Sequence, residues 1–179
     1  MFKEPRSELS FSWSDLGDIE VGRPNLGTTT HVAVYRLMQY TIRDVLIKRY
    51  SPEEASAILY ESGKNAGSNY CKNVLDKNLK LNDFVAMLQE SLKNLGVGIL
   101  RFEKIDLKNN FFVLTVAEDL DCSGLPMLNE TVCDYDEGFI AGILEAYTGN
   151  PFHVEEIDCW FTGDRVCRFE ARQKEYKFI

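Results

Sequence analysis

Cysteine supplies the strongest chemistry this chain offers. Four of its five cysteines, Cys122, Cys133, Cys159 and Cys167, fall in the last third, and a thiolate is both a nucleophile and a metal ligand. Positions 159 and 167 lie equally far from Gly163. A hairpin turning there sets them opposite each other, with Cβ atoms about 4.5–5.5 Å apart. Two thiolates at that separation can share a zinc ion through bonds of about 2.3 Å. Cys133 falls in the first turns of an expected helix, where the helix dipole favours a thiolate. No C-x-x-C pair is present, so two readings stand side by side: a metal centre, or buried thiols acting as small apolar filler. Cys71 shares a helix face with other small residues and reads as packing alone.

Other catalytic signals are absent. His31 and His153 are far apart in sequence, and there is no G-x-G-x-x-G, P-loop or H-E-x-x-H. Asp134, Asp136 and Glu137 read as acids stabilising a helix N-terminus. Arg165 and Arg168 flank Cys167, either offsetting the charge of a thiolate site or lying on a solvated strand. Twenty basic residues against 28 acidic ones give a formal charge of −8, which argues against a general nucleic-acid binder. The apolar runs are too short to span a bilayer. Residues Met1 to Ser12 lack the apolar core of a signal peptide, so a cytoplasmic location with reduced thiols is expected.

The elements that must position these residues can be read from periodicity. Residues 1–30 are irregular, punctuated by Gly17, Gly22, Pro24 and Gly27, and form an arm whose Phe11, Trp13 and Leu16 are apolar enough to pack. A first long helix, from Thr30 to Arg49, carries an apolar stripe of Val34, Leu37, Met38, Ile42, Val45 and Leu46. Ser51-Pro52-Glu53-Glu54 opens a second helix with a capping box. That helix has a small inner face of Gly63, Ala66, Gly67 and Cys71. A third helix holds Phe84, Val85, Leu88, Leu92 and Leu95. Strands follow at 98–105 and 111–117, then a helix from about Glu130 to Thr148 stopped by Gly149. A last hairpin uses 154–161 and 165–171. The order predicts an α+β fold: an antiparallel sheet packed against helices, with an N-terminal helical layer.

Several fixed spacings agree with one family. Cys133-Asp134-Tyr135, Gly138-Phe139-Ile140-Ala141-Gly142, Thr148-Gly149, Glu155-Glu156-Ile157-Asp158-Cys159 and Gly163-Asp164-Arg165-Val166-Cys167 resemble the 4-vinyl reductase domain. That domain also serves as the aromatic-sensing module of phenol- and xylene-responsive activators, and as stand-alone archaeal proteins called hydrocarbon-binding. The resemblance is close over 133–170 and looser from about residue 31. It implies a domain at 31–179 behind the arm, and a structural zinc held by Cys133, Glu156, Cys159 and Cys167. In a regular strand Glu156 and Cys159 face opposite sides, while Glu155 shares the cysteine's face. Either a bulge intervenes, or Glu155 or Cys122 is the fourth ligand. A centre with four protein ligands is closed and leaves no place for a catalytic water.

The resemblance carries three functional readings. The first is a domain binding or sensing a small apolar, aromatic or lipid-like molecule. Its candidate lining is Phe84, Leu88, Phe102, Phe112, Leu114, Tyr135, Phe139, Ile143 and Tyr147. Phenol specificity does not transfer, because neither histidine maps onto the role that orients the phenol hydroxyl. The second is a protein-assembly module, since the fold is similar to subunits of vesicle-tethering complexes. The third is reduction of a tetrapyrrole vinyl group, which lacks any visible hydride source here and is set aside in favour of a non-enzyme. A cavity of several hundred Å³ favours the first; a filled core with an apolar outer face favours the second. A homodimer through the N-terminal helices and a signalling protein partner complete the expectation.

Overall fold

The computed structural model describes residues 10–127 and 130–174, so the first nine residues of the arm lie outside the described residues. A 3-10 turn at Trp13–Leu16 and a short helix α1 (Ile19–Gly22) precede three longer helices, α2 (Val32–Arg49), α3 (Pro52–Val74) and α4 (Leu81–Asn94). Strands β1 (Ile99–Asp106) and β2 (Phe111–Ala117) follow, then α5 (Asp134–Thr148), β3 (Phe152–Asp158) and β4 (Cys167–Gln173). The strands form one sheet in the order β1-β2-β4-β3, with every neighbouring pair antiparallel. The α+β architecture expected from the element order is the one observed.

Local chemistry explains the boundaries. Ser51 accepts the N–H of Glu54 at 3.1 Å and Pro52 occupies the first position of α3, as the capping pattern predicts. Gly149 closes α5 with φ 76°, a left-handed turn that a Cβ would strain. His31 caps α2, its Nδ1 accepting the N–H of Ala33 at 3.1 Å.

One face of the sheet is buried and the other solvated. Leu100, Phe112, Leu114, Val116, Phe152, Val154, Phe169 and Ala171 point into the core with α4 and α5. On the outer face Arg168 pairs with Glu103 and Asp158, and Lys104 and Arg172 lie against the ring of Phe111. Such division is usual for antiparallel sheets.

Helices α3 and α5 pack backbone to backbone. A Cβ built on Gly63 would lie 2.0 Å from the carbonyl oxygen of Tyr135, and one on Gly67 2.0 Å from that of Phe139. The reverse contacts are equally close: Gly138 against the Tyr60 oxygen at 1.9 Å and Gly142 against that of Lys64 at 2.1 Å. The pairs advance together along both helices, so the two run parallel. The small-residue face of the second helix, expected to admit a second molecule, is therefore filled by α5 of the same chain.

Helix α2 reverses the expected orientation. Its apolar stripe is exposed, with Leu37 at 69%, Met38 at 57% and Val45 at 51%. Its inward side carries Tyr35, Arg36, Gln39, Tyr40 and Arg43, all half-buried. Periodicity located the stripe, and polar anchors decided which side turns inward.

Three boundaries differ from the sequence reading. Helix α5 starts at Asp134 rather than near Glu130, making Cys133 its N-cap. Strand β3 starts earlier, at Phe152, and gives way after Asp158 to a 3-10 turn at Trp160–Thr162. Strand β4 begins at Cys167 rather than Arg165.

Candidate functional site

Four separate pieces of chain bring the cysteines together. Cys122 lies in the loop after β2, Cys133 caps α5, Cys159 follows β3, and Cys167 opens β4. Each is at most 1% exposed. Their four sulfurs all lie within 4.8 Å of one another. Cys133 Sγ is 3.8 Å from both Cys159 Sγ and Cys167 Sγ, and Cys122 Sγ is 3.0 Å from Cys167 Sγ.

Backbone geometry sets this cluster. The pairing of β3 with β4 shifts register between Glu156 and Asp158, which is the bulge that the spacing of Glu156 and Cys159 required. Phe152, Val154 and Glu156 face inward before the shift, and Cys159 faces inward after it. Glu155 stays exposed, so the shift removes it from the cysteines' side. The loop carrying Cys122 is shaped by Asp119, whose Oδ1 accepts the N–H groups of Asp121 at 2.8 Å and Cys122 at 3.1 Å. Thr162 Oγ1 accepts the N–H of Cys159 at 3.1 Å, and Trp160 Nε1–H donates to the Leu125 carbonyl at 3.0 Å. Arg165 lies over the Trp160 ring.

Glu156 is buried beside the cluster. Its Oε2 accepts the N–H of Cys133 at 3.3 Å, and its Oε1 is shut off from solvent with no hydrogen-bond partner. Burial pushes its carboxyl up to about 8, with the Cys159 charge adding to the effect. Hydrogen bonds from Cys122, Cys133 and Cys167 hold the Cys159 thiol far below the ordinary range, while Cys133 and Cys167 are pushed up. One thiolate held by three thiols is what such a cluster does with protons.

The donor set fits a metal. A tetrahedral ion with bonds of about 2.3 Å needs sulfurs about 3.8 Å apart, and two of the separations match it. Cys122 and Cys167 are closer than that, yet farther apart than the roughly 2.05 Å of a disulfide. Buried thiolates at these distances repel strongly unless protons or a cation sit between them.

A second feature adjoins the first. A cavity of about 30 Å³ lies between α4, the sheet and α5, lined by Leu88, Leu92, Val97, Gly98, Leu100, Phe102, Leu114, Val116, Phe139, Ile140, Ile143 and Leu144. Two carboxylates, Asp119 and Asp136, complete the lining. Of the pocket residues named from sequence, Leu88, Phe102, Leu114, Phe139 and Ile143 border this cavity. The other four do not. Phe84 stacks on Tyr147 with centroids 3.8 Å apart, Phe112 packs between Phe102 and Phe152, and Tyr135 stacks on Phe139 toward the arm.

The acidic residues around the site escaped sequence reasoning. Asp121 is 1% exposed and Asp119 3%. Burial, reinforced by the Asp121 charge, pushes Asp119 up to about 7. Helix α2 supplies the compensation. Tyr35 Oη–H donates to Asp121 Oδ1 at 2.8 Å, Gln39 Nε2–H to its Oδ2 at 2.5 Å, and Tyr40 Oη–H to its carbonyl at 3.0 Å. Arg36 donates to the carbonyls of Leu120 at 2.7 Å and Ser123 at 2.9 Å, and Arg43 pairs with Asp134. The signal available was two aspartates in a loop facing a helix with polar residues at one recurring spacing. Asp134 and Glu137 also do more than serve the helix dipole, since Glu137 Oε1 accepts the N–H of Glu156 at 2.7 Å.

With this geometry in view, the comparisons identify the class. Residues 112–173 match the family model of the vinyl-4-reductase domain, so this stretch, which holds all four clustered cysteines, is a vinyl-4-reductase domain. An uncharacterized protein of Methanocaldococcus jannaschii is 26% identical over 152 residues, covering 85% of this chain and 83% of its own length. A second from the same organism is 30% identical over 113 residues, covering 63% and 62%. Among solved structures, the phenol-responsive sensory domain of the transcription activator PoxR, with phenol, superposes with TM-score 0.61 at 14% identity over 82% of this chain and 76% of that one. A vinyl-4-reductase family protein from Methanocaldococcus jannaschii gives 0.61 at 18% over 96% and 100%. A trafficking protein particle complex subunit 3 from Naegleria fowleri, covalently bound to palmitic acid, gives 0.64 at 14% over 81% and 96%. At these identities the structural matches show a shared fold. No helix among the described residues is long and apolar enough to cross a membrane.

Proposed function

We propose that this chain binds or senses a small, mostly apolar molecule, without catalysing a reaction, and that a structural zinc at the cysteine cluster holds its domain together. The observation that carries the reading is the cavity between α4, the sheet and α5, whose lining is apolar except for two carboxylates. Two structural neighbours are described with a ligand, phenol in one and palmitic acid in the other. At about 30 Å³ the cavity has room for roughly one water, so an occupant must displace lining side chains. Native mass spectrometry of the purified protein tests the proposal, together with thermal shift against aromatics and lipids. Retained ligand or a stabilising compound supports it; a chain that retains nothing and responds to nothing refutes it.

The donor set favours zinc held by Cys122, Cys133, Cys159 and Cys167. Four thiolates leave a formal −2, and a third negative charge beside them is unfavourable. Glu156, whose carboxyl keeps its proton to about pH 8, then serves as a neutral neighbour. A set with Glu156 in place of Cys122 is the family-like alternative. Zinc supplies only a cross-link here: it fixes the loop, the start of α5 and the ends of β3 and β4 to one another. Buried free thiols suit a reducing, cytoplasmic setting.

The exposed stripe of α2 favours assembly as well. Leu37, Met38 and Val45 lie on one outward face, and a contiguous apolar surface marks a contact site. The occupant proposed is a second copy of this chain, giving a two-fold dimer through α2. The nearly filled core with an apolar outer face matches what was expected of an assembly module, so binding and assembly belong to one reading here.

A further inference from the structure

The cavity is polar at one end only, and that end is wholly acidic. Asp119 and Asp136 line it, and no lysine, arginine or histidine does. Asp136 Oδ2 is sealed from solvent and has no hydrogen-bond partner. A buried carboxylate oxygen left without a donor costs about 1–3 kcal/mol, more when charged, so its place in the fold calls for a donor. Protein groups do not provide one. Asp119 commits its Oδ1 to the N–H groups of Asp121 and Cys122. The nearby cations are engaged elsewhere, Arg36 with the loop carbonyls and Arg43 with Asp134. The rings of Phe102 and Phe139 also border the space, and aromatic faces attract cations.

Resting on the ligand-binding reading above, we infer that the ligand class is an amphiphile with a protonated amine head, its ammonium donating to Asp136 Oδ2 and its apolar body lying between Leu88, Leu114 and Ile143. The same lining rejects carboxylates and phosphates. A negative head entering here meets two acids with no compensating charge, whereas an ammonium brings both the missing donor and the opposite sign. The head chemistry is thus set by Asp136, and the apolar lining selects the tail.

Three isosteric probes differing only in the head decide the matter: benzylamine, benzyl alcohol and benzoate, titrated calorimetrically into the metal-containing full-length protein. The expected result is benzylamine binding at least tenfold more tightly than benzyl alcohol, with no detectable benzoate binding. The advantage of the amine should vanish in Asp136→Asn. Equal or stronger binding of benzyl alcohol or benzoate overturns the inference while leaving an apolar-ligand domain intact. Failure of all three overturns it too; the domain reading then falls only if native mass spectrometry also finds no retained apolar ligand. Should Asp136→Asn not fold, the probe ranking in the unaltered protein stands alone as the test.

Discussion

Tyr35 on α2 donates its hydroxyl to Oδ1 of Asp121 at 2.8 Å, one residue before Cys122. This bond ties the N-terminal helical layer to the loop that carries a cysteine of the cluster. It explains why a helix with no buried residue stays attached: α2 holds on through hydroxyl, amide and guanidinium groups. The arrangement requires a buried carboxylate, which these donors stabilise. Tyr35→Phe should therefore destabilise the protein by about 1–3 kcal/mol, the cost of a buried acceptor losing its donor. Chemical denaturation reads the change, and a loss below about 0.5 kcal/mol, on the scale of an ordinary surface substitution, would show that Gln39 alone suffices.

Metal analysis separates the two ligand sets. One equivalent of zinc per chain is expected from protein prepared without chelator. Cys159→Ser should lose it and melt far lower, because metal-binding energy in such centres is folding energy. Cys122→Ser should also lose zinc while Glu156→Gln retains it; the opposite pattern would install Glu156 in the centre. Acidification should release the metal, since protonation of thiolates competes with binding.

The glycine contacts between α3 and α5 leave no space for a methyl group. Gly138→Ala would place Cβ 1.9 Å from the Tyr60 carbonyl oxygen, and two backbones would have to separate. A loss at or above the usual overpacking range of about 1–3 kcal/mol is expected. Gly22→Ala, with nothing within 4 Å of the new atom, serves as the control and should change stability little. Circular dichroism melts of both variants would reveal the difference, and equal melting temperatures would contradict the packing.

Light scattering tests the α2 surface. The unaltered chain should show twice the mass of the 20.5 kDa polypeptide, and Leu37→Glu should return it to one copy without lowering the monomer's own stability, because Leu37 is 69% exposed. A single-copy mass that does not change with concentration would end the dimer proposal.

What the sequence disclosed and what it concealed have physical reasons. Helices α3 and α4 were legible because their apolar residues both recur at helical spacing and face the core. The capping box at Ser51 and the stop at Gly149 are local signals and needed no tertiary context. In α2 the same periodicity located the helix but gave the wrong inner side, because burial there is polar and depends on Asp121, more than eighty residues downstream. The bulge at Ile157 was required by one spacing, although only the register of β3 on β4 places it. Cys122 entered as an alternative ligand and now lies among the other three sulfurs, since the Asp119 turn folds its loop over them. That turn depends on a buried aspartate, which composition alone presents as one more surface acid.

The reciprocal glycine contact makes α3 and α5 one beam, since neither backbone can slide without colliding with the other. Widening of the cavity must then come from the wall opposite α5. Helix α4 is that wall, secured by the Ser91 hydroxyl against Tyr70 and by Gln89 Nε2–H to the Leu100 carbonyl at 3.1 Å. A guest is admitted on the α4 side, and its arrival is felt first at Tyr70, whose ring also touches Trp13 of the arm. The beam thus turns ligand entry into a one-sided motion that ends at the N-terminal segment.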